Sequence, residues 1–419
     1  MVERQADQAR LEYWLWEINR RNDTPGRGIT RQYLTDTDWD ARLYIRNEME
    51  RMGLYVEMDS VGNLLATLPG TEPDLAPVWT GSHFDSVLHG GPFDGVAGVV
   101  AGMEAVRMVQ SAGIPHRRNL TVVAYAGEEP ARFGIGCIGS RAMAGCLSAE
   151  DLTCIRSPDG RTLRQELLMR GLDPDCLASC RKKTGDVFCA LELHIEQGGL
   201  LIDRQIPLGI VKSICAPTDL NICITGQAAH AGGMPMDQRR DALSAASEMC
   251  LALEHIARSS TLSEYCTGTV GCLRLFPNAP NVIPGVVEFT VDIRDCCGKS
   301  KTALRQQVET CFKKIAQRRS VELEITLQND DEPVCCHPAL RSLLADCCTR
   351  RGVPSCSLIS GAFHDSLFLG KIAPVGMLFV PSEGGLSHCP QEKTDMDAIK
   401  RGTEVLADAL LRLSNMDVL

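Results

Sequence analysis

Several features of membrane and exported proteins are absent from this sequence. No run of eighteen apolar residues occurs, which argues against a membrane-spanning helix. The opening segment, MVERQADQARLEYWLWEINR, is charged and lacks the apolar centre of a secretory signal. The twenty cysteines include no Cys-x-x-Cys motif, so their spacing fits neither a zinc knuckle nor a thioredoxin-type site. We therefore expect a cytoplasmic protein whose thiols are reduced and fill small spaces in the core.

An excess of basic charge is also missing. The 419 residues include 43 Lys and Arg against 53 Asp and Glu, which leaves a formal net charge of −10. An acidic chain is a poor match for nucleic acid or an anionic membrane surface, so we expect neither as the main partner. The 44% hydrophobic and 23% charged content is typical of a globular protein, and the length suggests two domains.

The first part of the chain and its end predict an α/β layer. Apolar, β-branched runs alternate with segments of helical periodicity, which is typical of a mostly parallel sheet with helices on both faces. The clearest helix is DGVAGVVAGMEAVRMVQSAG, because its apolar residues recur at helical spacing and a glycine ends it. The predicted strands are 61–69, 77–82, 120–127 and 374–381, and the predicted helices are 94–112 and 398–413.

The middle of the chain follows another order. Strands are predicted at 218–226, 266–275, 286–294 and 321–328, with helices at 241–260 and 301–317. This β-α-β-β-α-β order is the ferredoxin-like arrangement. We therefore predict a main α/β domain, residues 1–212 and 329–419, which is interrupted by a smaller α+β domain at 213–328.

Side chains that can bind metal ions follow four apolar, strand-like runs, VWTGS, LTVVAYAG, VFCALEL and PVGMLFVP. They are His83, the pair Glu128 and Glu129, His194, and His388. Ligands of open α/β sheets bind beyond the carboxyl ends of the strands, so these distant segments are expected at one edge. Asp94 opens a predicted helix at the same edge. Each residue also has a plainer interpretation, since a buried histidine is often a hydrogen-bonded core residue and a Glu pair often lies in a solvated loop.

Together these residue types suit a pair of metal ions. Histidine nitrogens and carboxylate oxygens bind zinc, manganese and cobalt, and three histidines with two carboxylates can hold two ions if one carboxylate bridges. Two such ions can activate a shared water and polarise the bond that it attacks. A further carboxylate must then move the proton, which gives Glu128 and Glu129 separate tasks. Asp85 stands two residues after His83 and is expected to accept a hydrogen bond from its other ring nitrogen.

A series of motifs covers nearly the whole chain. In order they are GITRQYLTDTDWDAR, VGNLLATLPG, GSHFDSVLHGGPFDGVAG, EEPARFGIGCIGSRAMAG, ELHIEQG, AHAGGMPMDQRRDAL, PNAPNVIPG, DIRD, SGAFHDS and GGLSHCPQE. With these motifs the sequence resembles the carbamoylase and allantoate amidohydrolase branch of the dinuclear-zinc aminoacylase and carboxypeptidase superfamily.

The resemblance implies two divalent metal ions per subunit. It assigns one ion to His83 and His194 and the other ion to Glu129 and His388. Asp94 would bridge the two ions. Zinc is the first expectation, with manganese, cobalt or nickel as alternatives, because mixed nitrogen and oxygen donors suit all of them.

The same resemblance implies residues that act on the substrate. Glu128 would be the general base, and His230 would stabilise the oxyanion in the active site of a partner subunit. The further substrate contacts that it implies are Gln197, Asn281, Arg294, Gly361 and Ala362. Because several of these residues lie in the interrupting domain, that domain would serve as a lid over the catalytic domain and as the interface of a homodimer.

Two of these roles have alternatives in the residues themselves. The guanidinium of Arg294 can hold a carboxylate with two parallel hydrogen bonds, but it could also form an ion pair with Asp292 or Asp295. Asn281 could bind substrate, or it could be a turn residue in a loop rich in Pro and Asn.

The chain departs from the family pattern at several places. Pro130 follows the Glu pair where glycine is common, and a proline fixes φ and removes an N–H group. Phe363 replaces the second glycine of SGAGHD, which would place a phenyl ring near the pocket. The other departures are Gly199, Ile202 and Met234. None removes a metal ligand or the base, so the departures bear on which substrate fits.

We therefore expect a metal-dependent amidohydrolase that cleaves the ureido C–N bond of an N-carbamoyl L-amino acid to the amino acid, CO2 and ammonia. The motif GSRAMAG and the aromatic ring of Phe363 favour this substrate. Allantoate or β-ureidopropionate is the alternative among ureido acids, and an aminoacylase or dipeptidase is the alternative on the same scaffold. A binding protein on a decayed scaffold is the non-enzymatic alternative, although the implied ligand set is intact.

Overall fold

The computed structural model describes Val2 and residues 5–419. Strands β1 to β16 are Tyr55–Met58, Leu64–Leu68, Val78–His83, Leu120–Tyr125, Cys189–Ile195, Leu208–Ile214, Ala216–Thr225, Ala229–His230, Cys266–Thr269, Leu273–Phe276, Val282–Ile283, Val286–Asp295, Glu322–Asp330, Val334–Cys335, Ser355–Ser360 and Val375–Val380. Helices α1 to α13 are Gln8–Asn19, Asp36–Arg51, Val96–Ala112, Ile138–Met143, Asp151–Cys154, Leu163–Met169, Leu177–Cys180, Leu200–Arg204, Ala242–Ser259, Gly298–Arg318, Pro338–Arg350, Ser366–Leu369 and Met396–Leu413. None of the helices in these residues is long and apolar enough to cross a bilayer.

The larger sheet has the strand order β1-β2-β4-β3-β5-β16-β6-β14, and β15 pairs with β6. Its central strands β4, β3, β5 and β16 are parallel, whereas β1, β2 and β6 join through antiparallel pairs. Every residue of the four parallel strands is buried, as expected for a sheet that is covered on both faces. The α/β class with a mostly parallel sheet, predicted from the sequence, is therefore confirmed.

Helix α3 begins two residues later than the sequence predicts. Gly95 has a φ of 64°, which is outside the helical region, so the helix begins at Val96. At its other end Gly113 has a φ of 64° and a ψ of 19°, the left-handed conformation that is common after a helix. Asp94 is consequently free of the helix, and its position is set by the turn that precedes it.

The smaller sheet has the order β10-β12-β7-β13, and β9 also pairs with β12. Its pairs are antiparallel, and α9 and α10 pack against it around one apolar cluster, which is the ferredoxin-like arrangement. The prediction of a single strand at 266–275 is wrong, because the chain leaves the ladder between β9 and β10. At this break the Cys272 N–H donates to the Thr290 hydroxyl at 3.1 Å instead of to a ladder carbonyl.

The chain forms two compact units. The first contains the residues up to Lys212 together with Cys335–Leu358 and His364–Leu419. The second contains Ser213–Val334 and the short stretch Ile359–Phe363. The sequence prediction ends the interrupting domain at 328, whereas the compact unit continues to Val334 and takes in the later stretch. Its service as a lid or a dimer interface stays a prediction.

Helix α2 carries a buried ion pair that supports the segment after β3. Arg42 and Asp38 are both inaccessible to solvent and lie 3.1 Å apart. The Arg42 guanidinium also lies 4.6 Å from the centroid of the Phe84 ring, which follows directly after β3. A charge at this depth is stabilised only while its partner is present, since desolvation of an unpaired ion is costly.

We expect Arg42→Ala to lower the free energy of unfolding by about 3–5 kcal/mol, because it leaves Asp38 buried without a counterion. The matched control is Arg46→Ala on the same helix, which breaks the exposed pair of Arg46 and Glu50 at the same spacing. That change should cost less than about 1 kcal/mol. Chemical denaturation measures both variants, and equal losses would contradict this account of the buried pair.

Candidate functional site

Four strand ends of the larger sheet bring the predicted metal-binding residues together. His83 is the last residue of β3, and His194 is the last but one of β5. Glu128 follows the end of β4 by three residues, and His388 follows the end of β16 by eight. Because β4, β3, β5 and β16 are adjacent and parallel, their carboxyl ends meet at one edge, where α/β folds bind ligands.

The carboxylate of Asp94 lies at the centre of this cluster. Its Oδ1 is 3.2 Å from Nε2 of His194 and 3.8 Å from Nε2 of His83. Its Oδ2 is 3.0 Å from Nε2 of His388, and the same nitrogen is 3.3 Å from Oε1 of Glu129. The two oxygens of one carboxylate therefore face two different groups of nitrogen and oxygen atoms.

Each group has the geometry of a possible metal site. The sets His83, Asp94, His194 and Asp94, Glu129, His388 each offer ligand atoms within 4.8 Å of one another. Histidine with carboxylate is a donor set that zinc, manganese and cobalt accept. A third set joins His194 to Glu192 and His364, but both oxygens of Glu192 already accept hydrogen bonds from serine hydroxyls. The first two sets are therefore the candidates for metal binding.

Electrostatics in the cluster keep Asp94 ionised. Burial opposes the charge, but hydrogen bonds with His194 and His388 outweigh it and hold the pKa of Asp94 well below its usual value. Burial also opposes charge on the two histidines, yet the Asp94 carboxylate raises the pKa of His194 to about 9 and that of His388 to about 11. The pocket thus favours positive charge on both sides of one carboxylate.

The two glutamates differ in their surroundings. Burial and then the charge of Glu129 raise the pKa of Glu128 well above its usual value. Burial also raises the pKa of Glu129, but its hydrogen bond with His388 opposes this shift. Oε2 of Glu128 is 3.8 Å from Nε2 of His83, so this carboxyl group borders the cluster without a close ion pair. Glu128 is therefore a proton-binding group beside the possible metal sites.

The predicted role of Asp85 is wrong. Nδ1 of His83 lies 3.1 Å from the backbone oxygen of Asp85, whereas the nearest oxygen of the Asp85 carboxylate is 3.7 Å away. The carboxylate instead accepts the backbone N–H groups of Glu128 at 3.1 Å and Glu129 at 3.0 Å. Two amides that point into the same carboxylate hold it away from the ring. Asp85 therefore fixes the backbone of the Glu pair, and burial raises its own pKa to about 7.

Gln197 lies against the same central carboxylate. Its Nε2 is 3.3 Å from Oδ1 and 3.2 Å from Oδ2 of Asp94. Its backbone has a left-handed φ of 57° and donates its N–H to the Ser382 hydroxyl at 3.0 Å. This conformation is unusual for a residue with a side chain and is typical of functional loops. The substrate contact assigned to Gln197 by resemblance stays a prediction.

In the second unit, β8 and β11 bring His230 and Asn281 close together. Nδ1 of His230 accepts the backbone N–H groups of Gly232 at 3.0 Å and Gly233 at 3.1 Å. The backbone oxygen of Asn281 accepts the N–H of Ala231 at 2.9 Å. Since Nδ1 is an acceptor, the neutral ring carries its proton on Nε2. The exposed side chain of His230 can therefore donate a hydrogen bond from Nε2.

Arg294 forms an ion pair with Asp292, which is one of the alternatives that the sequence left open. Its Nε and Nη2 donate to Asp292 at 3.1 and 2.9 Å. Its Nη1 makes a longer contact of 3.4 Å with the backbone oxygen of Gly361, and its guanidinium lies 5.6 Å from the Phe363 ring centroid. Ala362 lies between these last two residues. The second unit thus places the predicted residues Arg294, Gly361 and Ala362 together.

Sequence reasoning missed two polar residues beside the cluster. Glu392 accepts the backbone N–H groups of Phe93 and Asp94, and Ser387 donates to Glu392. Both residues lie in the motif GGLSHCPQE, but only its histidine was predicted to be functional. Contacts to backbone amides have no signature in side-chain spacing, so the structure was needed to find them.

The chain is similar to known proteins over nearly its whole length. A model of the peptidase family M20/M25/M40 matches residues 66–412. The N-carbamoyl-L-amino acid amidohydrolase of Geobacillus stearothermophilus is 38% identical over 405 residues, which are 97% of this chain and 98% of that protein. The ureidoglycolate hydrolase of Arabidopsis thaliana is 36% identical over 417 residues, 98% of this chain and 87% of that protein. The crystal structure of AtUAH in complex with glyoxylate matches with a TM-score of 0.88 and 35% identity over 98% of both chains.

Gly95 offers a direct test of how tightly the cluster is packed. A Cβ at this position would lie 2.4–2.5 Å from three atoms of the buried His83 ring. Gly113 is the control for a positive φ, because it ends the same helix at a φ of 64° and has nothing within 4 Å of its Cβ position. Its ψ of 19° differs from the −49° of Gly95, so the difference between the variants includes backbone strain as well as the clash with His83. We expect Gly95→Ala to lower the free energy of unfolding by about 1–3 kcal/mol more than Gly113→Ala does. Chemical denaturation measures the difference, and similar losses would show that His83 moves aside freely.

Proposed function

The chain belongs to peptidase family M20/M25/M40, and on this premise we propose that it hydrolyses an N-carbamoyl L-amino acid. Its named amidohydrolase relatives identify it as a hydrolase of non-peptide carbon–nitrogen bonds. Cleavage of the ureido C–N bond would release the amino acid, CO2 and ammonia. The observation that carries the mechanism is the Asp94 carboxylate, whose two oxygens face two separate groups of metal-binding atoms.

Two divalent ions would be bound, one by each group, with Asp94 shared between them. Zinc is the first candidate, and manganese, cobalt and nickel are the alternatives for this mixture of donors. The donor chemistry fits, because three buried carboxyl groups lie close together, and burial together with their repulsion raises the pKa of Glu128. Two divalent cations would offset that repulsion and allow the carboxylates to remain ionised.

Glu128 would move the protons of the reaction. The ions, when bound, would acidify a water molecule and polarise the ureido carbonyl group. Glu128 is buried beside His83 but belongs to neither group of possible ligands, so its oxygens are available to accept a proton. Its surroundings raise its pKa above the usual value, so its ionised form is a stronger base than an exposed glutamate. The proton would pass from the water to the leaving nitrogen.

His230 would stabilise the oxyanion of the tetrahedral intermediate. Its Nε2 carries the donor proton because Nδ1 is occupied by two backbone amides. The family resemblance assigns this histidine to the active site of a partner subunit, so the same proposal includes a homodimer. The mass in solution, measured by light scattering, tests the dimer. A cytoplasmic location is a further part of the proposal, and cell fractionation tests it.

Arg294 would hold the carboxylate of the substrate. Asp292 accepts from Nε and Nη2, while Nη1 makes the long contact with Gly361 and has a further N–H to offer to an anion. Asn281 and Gln197 would bind the polar groups next to the scissile bond. Gly361, which contacts Arg294, and its neighbour Ala362 would line the same substrate subsite as Arg294.

Ureidoglycolate is the second candidate substrate, because a ureidoglycolate hydrolase matches nearly the whole chain. It also combines a ureido group with a carboxylate, so the same ions, base and arginine would serve. Allantoate and β-ureidopropionate share these two groups and are the remaining ureido candidates. The products separate the candidates, since only ureidoglycolate yields glyoxylate together with ammonia.

The first functional prediction concerns Glu128→Gln. Ammonia release is measured with N-carbamoyl amino acids, ureidoglycolate, allantoate and β-ureidopropionate in the presence of zinc, manganese or cobalt. The amide keeps the shape of the side chain but cannot accept the proton, so kcat/KM should fall about 10²- to 10⁴-fold. The metal content should stay at that of the wild type.

Glu57→Gln is the control for this experiment, because Glu57 is exposed on β1 and should not affect turnover. Unchanged activity of Glu128→Gln would contradict the assigned base. A wild type that binds metal but releases ammonia from no ureido acid would contradict the substrate class. Release of an amino acid from acyl or peptidyl substrates without ammonia would then identify an aminoacylase or dipeptidase.

His230→Ala should lower kcat about 10²- to 10³-fold with a smaller change in KM, because an oxyanion donor acts mainly in the transition state. His255→Ala is the matched control, since His255 is an exposed histidine of α9 in the same unit. Steady-state kinetics with the substrate found in the panel measure both variants. An unchanged kcat in His230→Ala would remove His230 from the reaction.

A further inference from the structure

Glu392 is a buried carboxyl group beside the cluster, and neither group of possible metal ligands includes it. Only 3% of its surface is exposed. Its Oε1 accepts two backbone N–H groups, from Phe93 at 2.8 Å and from Asp94 at 3.0 Å. Its Oε2 accepts the hydroxyl of Ser387 at 2.8 Å. Both oxygens are thus engaged by hydrogen-bond donors from two distant parts of the chain.

The side chain of Glu392 packs directly against Gly91. A Cβ on Gly91 would lie 2.2 Å from the carboxyl carbon and from Oε1 of Glu392. The loop before Asp94 can therefore wrap around the carboxyl group only with glycine at this position. The Ser387 hydroxyl also lies 3.4 Å from Oδ2 of Asp94, so the two loops meet directly at the oxygen that faces His388.

The loop of His388 needs such an anchor. Its side chain is 49% exposed, although its ring nitrogen lies among buried carboxylates. Its backbone has a left-handed φ of 57°, which a residue with a side chain rarely adopts without support. Contacts made by other residues must therefore hold the loop between β16 and α13 if the His388 ring is to keep its orientation.

We infer that Glu392 is the positioning residue of the second ion site, which rests on the two-ion function proposed above. Its carboxylate ties the backbone of Asp94 to Ser387, the residue before His388. It thereby holds Asp94 Oδ2 and His388 Nε2 at the separation from which both can bind one divalent ion. The first ion site shares Asp94, but its other two ligands, His83 and His194, lie at the ends of β3 and β5 and do not depend on this tie. The first ion site should therefore lose less affinity than the second.

The test is a calorimetric titration of the metal-free full-length protein with zinc. The wild type should bind two ions, and Glu392→Ala should bind one of them about 10- to 100-fold more weakly, with a clearly smaller loss for the other. Glu392→Gln should restore most of the affinity, because its amide oxygen can still accept both backbone N–H groups. Ser387→Ala removes one of the ties and should give an intermediate loss.

Glu383→Ala is the matched control on the same loop, since Glu383 forms an exposed pair with Lys393 and should leave both affinities unchanged. Thermal unfolding of each metal-free variant reports on folding. Two affinities equal to those of the wild type in Glu392→Ala would overturn the inference, as would an equal loss at both sites. If Glu392→Ala does not fold, an unchanged second affinity in Ser387→Ala overturns it. A wild type that binds fewer than two ions would instead contradict the two-ion site itself, and with it this role.

Discussion

The site depends on one carboxylate that must stay charged inside the protein. Burial opposes the charge of Asp94, but His194 and His388 stabilise its ionised form, each through a different oxygen. Gln197 and Ser387 add hydrogen-bond donors around it, whereas Glu128 and Glu129 add negative charge. This demand explains why so many titratable groups are concentrated at one edge of an otherwise apolar sheet, and why divalent cations suit the pocket.

Parallel strands make this concentration possible. β4, β3, β5 and β16 are adjacent and buried throughout, so their carboxyl ends deliver side chains from distant parts of the sequence to one place. Two of the residues that complete the cluster, Asp94 and His388, lie outside strands and helices, where backbone position is less constrained. Other residues hold both of them in place. Gly95 lies against the His83 ring next to Asp94, and Glu392 binds the backbone of Asp94 and the hydroxyl of Ser387 next to His388.

The sequence was sufficient where position follows from strand order. The proximity of His83, Glu128 and His388 could be predicted from the sequence. Each follows a strand of the parallel part of the sheet, and the carboxyl ends of neighbouring parallel strands lie at the same edge however far apart they are in the sequence. The partner of Asp85 could not be predicted, since its carboxylate binds backbone amides of the Glu128 loop instead of the adjacent ring. Glu392 was missed for the same physical reason, because its amide partners lie 298 and 299 residues earlier and leave no side-chain pattern.

The most direct test of the shared carboxylate is anomalous scattering at the zinc edge from crystals of the zinc-loaded protein. The account predicts two peaks on opposite sides of Asp94, each about 2.0–2.2 Å from a different oxygen of its carboxylate. One peak should also contact His83 and His194, and the other should contact Glu129 and His388. A single peak, or two peaks that leave Asp94 uncoordinated, would contradict it.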